Sequence, residues 1–199
     1  MPVSDNLFWR RLHSFTGALP LGVFLVFHLY ENTYSLAGYE VYDGHVRALR
    51  QLPYLHIIEA TLIFAPLLYH SMYGLYVWYT GKNNYLRYPY ARNGVYTLQR
   101  VTGLITFVFV YYHIYDQRLL PYPSFYTVSA SLMDAPTLVI YFVGVSAAAV
   151  HLFIGLWNVS IKWGIAIGAR AQRVILAACV LAGLGLVAVG LRALTGFML

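Results

Sequence analysis

The sequence predicts an all-α membrane protein in which five helices cross the bilayer and the first four form a bundle. Two observations carry this prediction. Hydrophobic residues make up 60% of the 199 residues and charged residues only 10%, whereas soluble domains carry about 25% charged residues. Five apolar stretches are also long enough to cross a hydrocarbon core about 30 Å thick, which takes about 20 helical residues. A single domain, residues 1–199, accounts for this length.

The five stretches follow one another along the chain with short connections. Between the first two, residues 39–52 mix apolar with charged side chains, so we predict a short amphipathic helix in the membrane interface. A short internal similarity is also present: Thr16-Gly17 precedes His28, and Thr102-Gly103 precedes His113, at nearly equal spacing. The predicted spans are Ser14–Leu36, Tyr54–Tyr79, Leu98–Leu119, Pro136–Trp157 and Ile175–Leu194.

Charge predicts the orientation and excludes several classes of protein. Nine of the 13 Lys and Arg residues fall on the side that holds the N-terminus, so the N-terminus is predicted to be cytoplasmic and the C-terminus outside. The net charge of +6 does not form a soluble basic patch, which argues against a nucleic-acid partner. The single cysteine, Cys179, excludes disulfides and a cysteine-ligated iron–sulfur cluster in this chain.

Four histidines lie deep in the first four spans, one in each. Ionisable residues at this depth are candidates for function, and neutral imidazole is a common ligand of haem and of transition metals. Successive spans alternate in direction, and a helix rises about 1.5 Å per residue. His28 and His113 should therefore lie about 21 Å above the inner edge, and His70 and His151 within about 8 Å of it. We predict two bis-histidine haems, at levels about 13 Å apart.

Several segments, spread over essentially the whole chain and in the same order, resemble one family. They include Arg10–Ser14, Leu67–His70 with Tyr73-Gly74, Lys82–Asn84, Leu98–Gly103, Gly155–Trp157 and Trp163–Ile165. These segments look like the dihaem cytochrome b anchor of type B succinate:quinone oxidoreductases, whose anchor is a single five-helix chain.

The resemblance implies a role inside a respiratory complex of the bacterial cytoplasmic membrane and the tricarboxylic acid cycle. The chain would anchor an FAD-containing flavoprotein and an iron–sulfur subunit on the cytoplasmic side. Electrons from succinate would reach the inner haem b, ligated by His70 and His151, and then the outer haem b, ligated by His28 and His113. Quinone, commonly menaquinone in this group, would be reduced near the outer haem, and fumarate reduction would use the same parts.

Two further groups of residues are candidates for roles near the haems. Basic residues at the inner level could hold haem propionates, although Lys162 also fits a plain interfacial anchor; they are Arg10, Arg11, His13, Arg100 and Lys162. Polar residues near the outer haem could serve quinone and its protons, with Glu59 the preferred acid; they are Glu59, Glu31, Asn32, Asp43 and Asp116.

Two alternatives remain open at this point. One is the dihaem cytochrome b anchor of another respiratory enzyme, such as a hydrogenase or formate dehydrogenase. The other is a membrane bundle without haem, for example a small transporter, in which the histidines are polar contacts between helices.

Overall fold

The computed structural model describes residues 3–119 and 123–199, with side chains for residues 7–119 and 123–199. These residues form seven helical segments and no strand. Three of the segments each contain one π-helical turn: Gly17–Leu21 in α1, Glu59–Phe64 in α3 and Tyr115–Leu119 in α4. The segments are α1 (3–37), α2 (Tyr39–Arg50), α3 (55–80), α4 (91–119), α5 (Phe125–Leu132), α6 (Ala135–Lys162) and α7 (Gly168–Gly196).

Four helices of the described chain are long and apolar enough to cross a membrane, which confirms the predicted all-α membrane fold. They are Leu7–Ala37, Leu55–Thr80, Ala135–Lys162 and Gly168–Gly196. Helix α4 is equally long, but Gln99, Arg100 and His113 make it less apolar. A fifth crossing at Leu98–Leu119 therefore stays a prediction.

The helices extend further at their predicted inner ends than the apolar stretches do. Helix α1 begins at Val3, α4 at Ala91 and α7 at Gly168. Hydropathy reports the limits of the hydrocarbon core, whereas a helix continues into polar residues beyond it. As a result His13, one of the candidate propionate residues, lies within the apolar helix Leu7–Ala37.

The buried core lies in the half of the bundle that contains His28 and His113, which are called the outer histidines after their predicted level. Helix α6 packs along both α4 and α7, and α7 packs against the second half of α1. The Ser35 hydroxyl, which is 1% exposed, donates a 2.8 Å hydrogen bond to the Ala193 carbonyl and joins α1 to α7. The core includes Leu29, Phe109, Tyr141, Val145, Leu152, Leu186 and Leu194.

Helix α2 is the short helix that the amphipathic pattern of residues 39–52 predicted, and it covers this end of the bundle. Its Tyr42 packs edge-on against Phe197 with ring centroids 4.9 Å apart, and burial raises the pKa of Tyr42 to about 12. The Asp43 carboxylate accepts a 2.8 Å hydrogen bond from the backbone N–H of Phe125, the first residue of α5. Asp43 therefore connects two short helices.

Candidate functional site: two histidine pairs

The structure brings together the same two histidine pairs that depth in the membrane predicted. The rings of His70 and His151 have centroids 6.2 Å apart, and those of His28 and His113 are 5.7 Å apart. Both pairs are close to edge-on, with interplanar angles of 79° and 66°. Each pair joins two helices: α3 and α6 for the inner pair, and α1 and α4 for the outer pair.

Backbone carbonyls hold both rings of the inner pair. Nδ1 of His70 lies 3.0 Å from the His13 carbonyl, and Nδ1 of His151 lies 3.1 Å from the Gln99 carbonyl. A carbonyl can only accept, so both Nδ1 atoms carry the hydrogen. Nε2 of each imidazole then keeps its lone pair, and this is the nitrogen that can bind a metal.

Two glycines allow this close approach. A Cβ atom on Gly17 would lie 2.7 Å from Nδ1 of His70, and one on Gly103 would lie 2.8 Å from Cε1 of His151. Each glycine comes four residues after the carbonyl that accepts from the same histidine, one helical turn along. The internal similarity of the sequence therefore has a structural role: the glycines of both Thr-Gly pairs lie against inner histidines of other helices, rather than against His28 and His113.

The outer pair is held by side chains. Nδ1 of His113 lies 3.2 Å from the Tyr141 hydroxyl, which donates a 2.8 Å hydrogen bond to Asp116 Oδ2. On the other side, the ring of Phe24 stacks on His28 with centroids 5.3 Å apart. The Asn32 amide donates to the His28 carbonyl at 2.7 Å and lies 3.5 Å from its Nε2.

The predicted propionate residues do not all lie in one place. The ring of His13 stacks on that of His70, with centroids 4.2 Å apart, and Lys162 is close enough to Arg10 for the two positive charges to repel each other. Arg100 donates to the Trp78 carbonyl at the end of α3 and to the Tyr96 hydroxyl. Arg11 lines a surface pocket with Phe8, Leu12, Phe15 and Trp163.

The predicted polar residues of the outer side are divided among several contacts. Glu59 Oε2 accepts a 2.8 Å hydrogen bond from Arg118 and lies 3.8 Å from His56 Nδ1. Glu31 lies 3.8 Å from His45 Nδ1. Asn32 and Asp116 therefore belong to the surroundings of the outer histidines, whereas Asp43 binds the start of α5.

Sequence reasoning missed the groups that hold the histidines. The carbonyls of His13 and Gln99 are backbone atoms, which every residue has, so no residue type could have marked them. Tyr141 lies ten residues before His151 in an apolar stretch that contains few other polar side chains. Its position within a predicted span was the one available signal.

Helices that cross the membrane and two facing histidine pairs in their interior define the class: a multi-pass helical membrane protein with a histidine-lined core. No family model matches the chain. It is 35% identical over 202 residues to the succinate dehydrogenase cytochrome b558 subunit of Bacillus subtilis (strain 168), with all of both chains covered. The chain therefore belongs to the family of succinate dehydrogenase cytochrome b subunits. This confirms the family that the sequence motifs indicated.

Proposed function

We propose that this chain anchors succinate dehydrogenase in the bacterial cytoplasmic membrane and conducts electrons from the iron–sulfur subunit to quinone through two b-type haems. His70 and His151 would ligate the inner iron, and His28 and His113 the outer iron. The observation that carries the proposal is the facing of these histidines in two pairs, at two depths of one bundle.

The pair geometry fits axial ligation of haem iron. An imidazole nitrogen binds a transition metal at about 2 Å, and the ring centre lies about 1 Å further away. Two imidazoles on opposite sides of one iron should thus have ring centroids about 6 Å apart. The observed separations are 6.2 and 5.7 Å. Among the described residues no three His, Cys, Asp or Glu side chains converge, but haem needs only two axial ligands from the protein.

Buried polar atoms near the pairs also favour a bound polar group. Within the described chain, two buried side-chain oxygens have no hydrogen-bond partner, Gln99 Oε1 and Thr106 Oγ1, and both belong to α4. Such atoms are costly unless a partner satisfies them. Gln99 Nε2 lies 3.5 Å from His151 Nε2, and Thr106 lies between Gly103 and His113 in the sequence. The surroundings of α4 therefore suit a macrocycle that carries polar substituents.

Two haems at these two levels would conduct electrons across most of the thickness of the membrane. Gly103 contacts the inner pair and His113 belongs to the outer pair, and ten residues of α4 between them rise about 15 Å. Bound haem would supply one-electron oxidation and reduction at each level. Propionates of the inner haem would meet positive charge from Lys162 and Arg10, which repel each other without such an anion.

The partners would bind at the side that holds the N-terminus, which we propose is cytoplasmic, with the C-terminus outside. A flavoprotein with FAD and an iron–sulfur subunit would supply succinate oxidation. The connection from Gly81 to Tyr90, which precedes α4, is basic and exposes Leu86 and Tyr90 by 99% and 69%. We propose that this surface contacts the iron–sulfur subunit, because apolar and aromatic side chains are typical of the centre of an interface.

The composition of the purified complex tests this function. We expect two haems b per copy of this chain in a pyridine hemochrome assay. A flavoprotein and an iron–sulfur subunit should co-purify. Fewer than two haems per chain, or a nickel–iron or molybdenum partner in place of the flavoprotein, would contradict the proposal.

Quinone, which we propose is menaquinone, would be reduced near the outer pair, and this step takes up two protons with two electrons. Glu59 is the candidate proton donor of the outer side. Replacing Glu59 with Gln should slow succinate-driven quinone reduction by about 100-fold, at the low end of general acid–base contributions. Both haem spectra should stay intact, because Glu59 contacts neither pair.

The contacts of Glu59 provide the controls. Arg118→Gln breaks the same 2.8 Å ion pair but keeps the carboxylate. If Arg118→Gln slows turnover as much as Glu59→Gln does, Glu59 serves only the ion pair. Glu40→Gln, at an exposed acid of α2, should leave turnover unchanged.

A further inference from the structure

The outer pair differs from the inner pair in the chemistry of the group that holds a ligand nitrogen. At the inner pair both Nδ1 atoms face neutral backbone carbonyls. At the outer pair, Nδ1 of His113 faces the hydroxyl of Tyr141, which is bonded to the carboxylate of Asp116. The inner histidines therefore face uncharged groups, whereas His113 is linked through Tyr141 to the negative charge of Asp116.

Counting the hydrogens shows which atom donates in each of the two hydrogen bonds that link His113, Tyr141 and Asp116. Tyr141 has a single hydroxyl hydrogen, and Asp116 Oδ2 accepts it at 2.8 Å. The Tyr141 oxygen must then accept from Nδ1–H of His113 at 3.2 Å. His113 consequently keeps its Nε2 lone pair for the iron, as the inner histidines do.

Two further hydrogen bonds hold the Asp116 carboxylate in place. Gln117 Nε2 donates to Asp116 Oδ2 at 2.7 Å, and the Ser131 hydroxyl donates to Oδ1 at 3.3 Å. Tyr141 and Gln117 are only 4% and 9% exposed. Phe109 packs against the rings of both His113 and Tyr141, with centroids 5.7 and 5.4 Å away. The site is therefore closed to solvent, so a water molecule cannot readily take the place of the Tyr141 hydroxyl in a variant that lacks it.

We propose that Tyr141, held by Asp116, is a positioning residue that sets the redox potential of the outer haem. This inference rests on the proposed ligation by His28 and His113. A hydrogen bond from a ligand imidazole toward a carboxylate increases the basicity of that imidazole. A more basic ligand donates more charge to the iron and favours the ferric state. Tyr141 therefore lowers the midpoint potential of the outer haem relative to a protein without this hydroxyl.

The test is a redox titration of the assembled complex that carries Tyr141→Phe. Removing the hydroxyl should favour the ferrous state of the outer haem about tenfold, which is about 59 mV upward for one electron. The inner haem should keep its potential. Asp116→Asn keeps a hydrogen-bond acceptor without the charge, so it should shift the same haem in the same direction by less. The outer haem is identified as the one that is lost in His28→Leu.

Tyr112→Phe is the matched control, because the Tyr112 hydroxyl belongs to the same helix interface but bonds to Thr137 at 3.0 Å. It should leave both potentials unchanged. Selective loss of the outer haem in Tyr141→Phe, with the inner haem retained, would show that the hydroxyl only holds His113 in place and would overturn the inference. An unchanged outer potential, loss of both haems, or an equal shift in Tyr112→Phe overturns it. A wild-type complex with fewer than two haems instead overturns the proposed function.

Discussion

Replacing His28 with Leu is expected to leave one haem per chain, the inner one, and to abolish electron transfer to quinone. The reason is that bis-histidine iron depends on both axial ligands, and no other imidazole lies beside His113 in the described chain. His70→Leu should remove the inner haem instead and interrupt transfer from the iron–sulfur subunit. Hemochrome content and reduced-minus-oxidised spectra of the purified complex measure both results.

Variants of the two partner histidines, alone and combined, test the pairing directly. His113→Leu should reproduce the spectrum of His28→Leu, and His151→Leu that of His70→Leu, because each pair shares one iron. Double variants within a pair should lose no more haem than the single variants. His56→Leu is a suitable control, since the His56 side chain is 92% exposed. If His28→Leu and His70→Leu lose the same haem, the pairing is wrong.

The pairing could be predicted from the sequence because it depends on few quantities. Helical rise is constant, spans alternate in direction, and each of four spans carries one buried histidine. These facts match His28 with His113 and His70 with His151 without knowledge of side-chain contacts. The same reasoning could not show which helices pack together, because that depends on the shapes of their apolar faces.

What holds the histidines could not be predicted, for two physical reasons. At the inner pair the acceptors are the carbonyls of His13 and Gln99, and every residue has a backbone carbonyl, so no residue type in the sequence marks these two. Elsewhere the partners are distant along the chain. Arg118 and Glu59 form an ion pair 59 residues apart, and this pair exists only because α3 and α4 place them together.

The Thr-Gly similarity shows how a correct observation can have an unexpected meaning. In the sequence, its nearly equal spacing connects it with His28 and His113. In the folded chain, Gly17 and Gly103 contact His70 and His151, which belong to α3 and α6. The duplication is real at the level of geometry, but each copy serves a ligand from another helix.

Substituting Gly17 with Ala is expected to remove the inner haem selectively. The new Cβ would lie 2.7 Å from Nδ1 of His70, too close for any contact between such atoms. The imidazole must move, and the 3.0 Å hydrogen bond to the His13 carbonyl is lost with it. Loss of a hydrogen bond that orients a metal ligand weakens metal binding about 10- to 100-fold. Hemochrome content and the spectrum of the remaining haem measure the effect.

A matched glycine separates this steric effect from the general cost of changing a transmembrane helix. Gly185, in α7, has no atom within 4 Å of an added Cβ, so Gly185→Ala should keep both haems. Gly103→Ala should act as Gly17→Ala does, but more weakly, because its Cβ would lie 3.2 Å from Nδ1 of His151. If Gly17→Ala keeps two haems with unchanged spectra, the imidazole of His70 is not held where an iron ligand must be. If it loses the outer haem as well, Gly17 supports the bundle as a whole rather than one ligand.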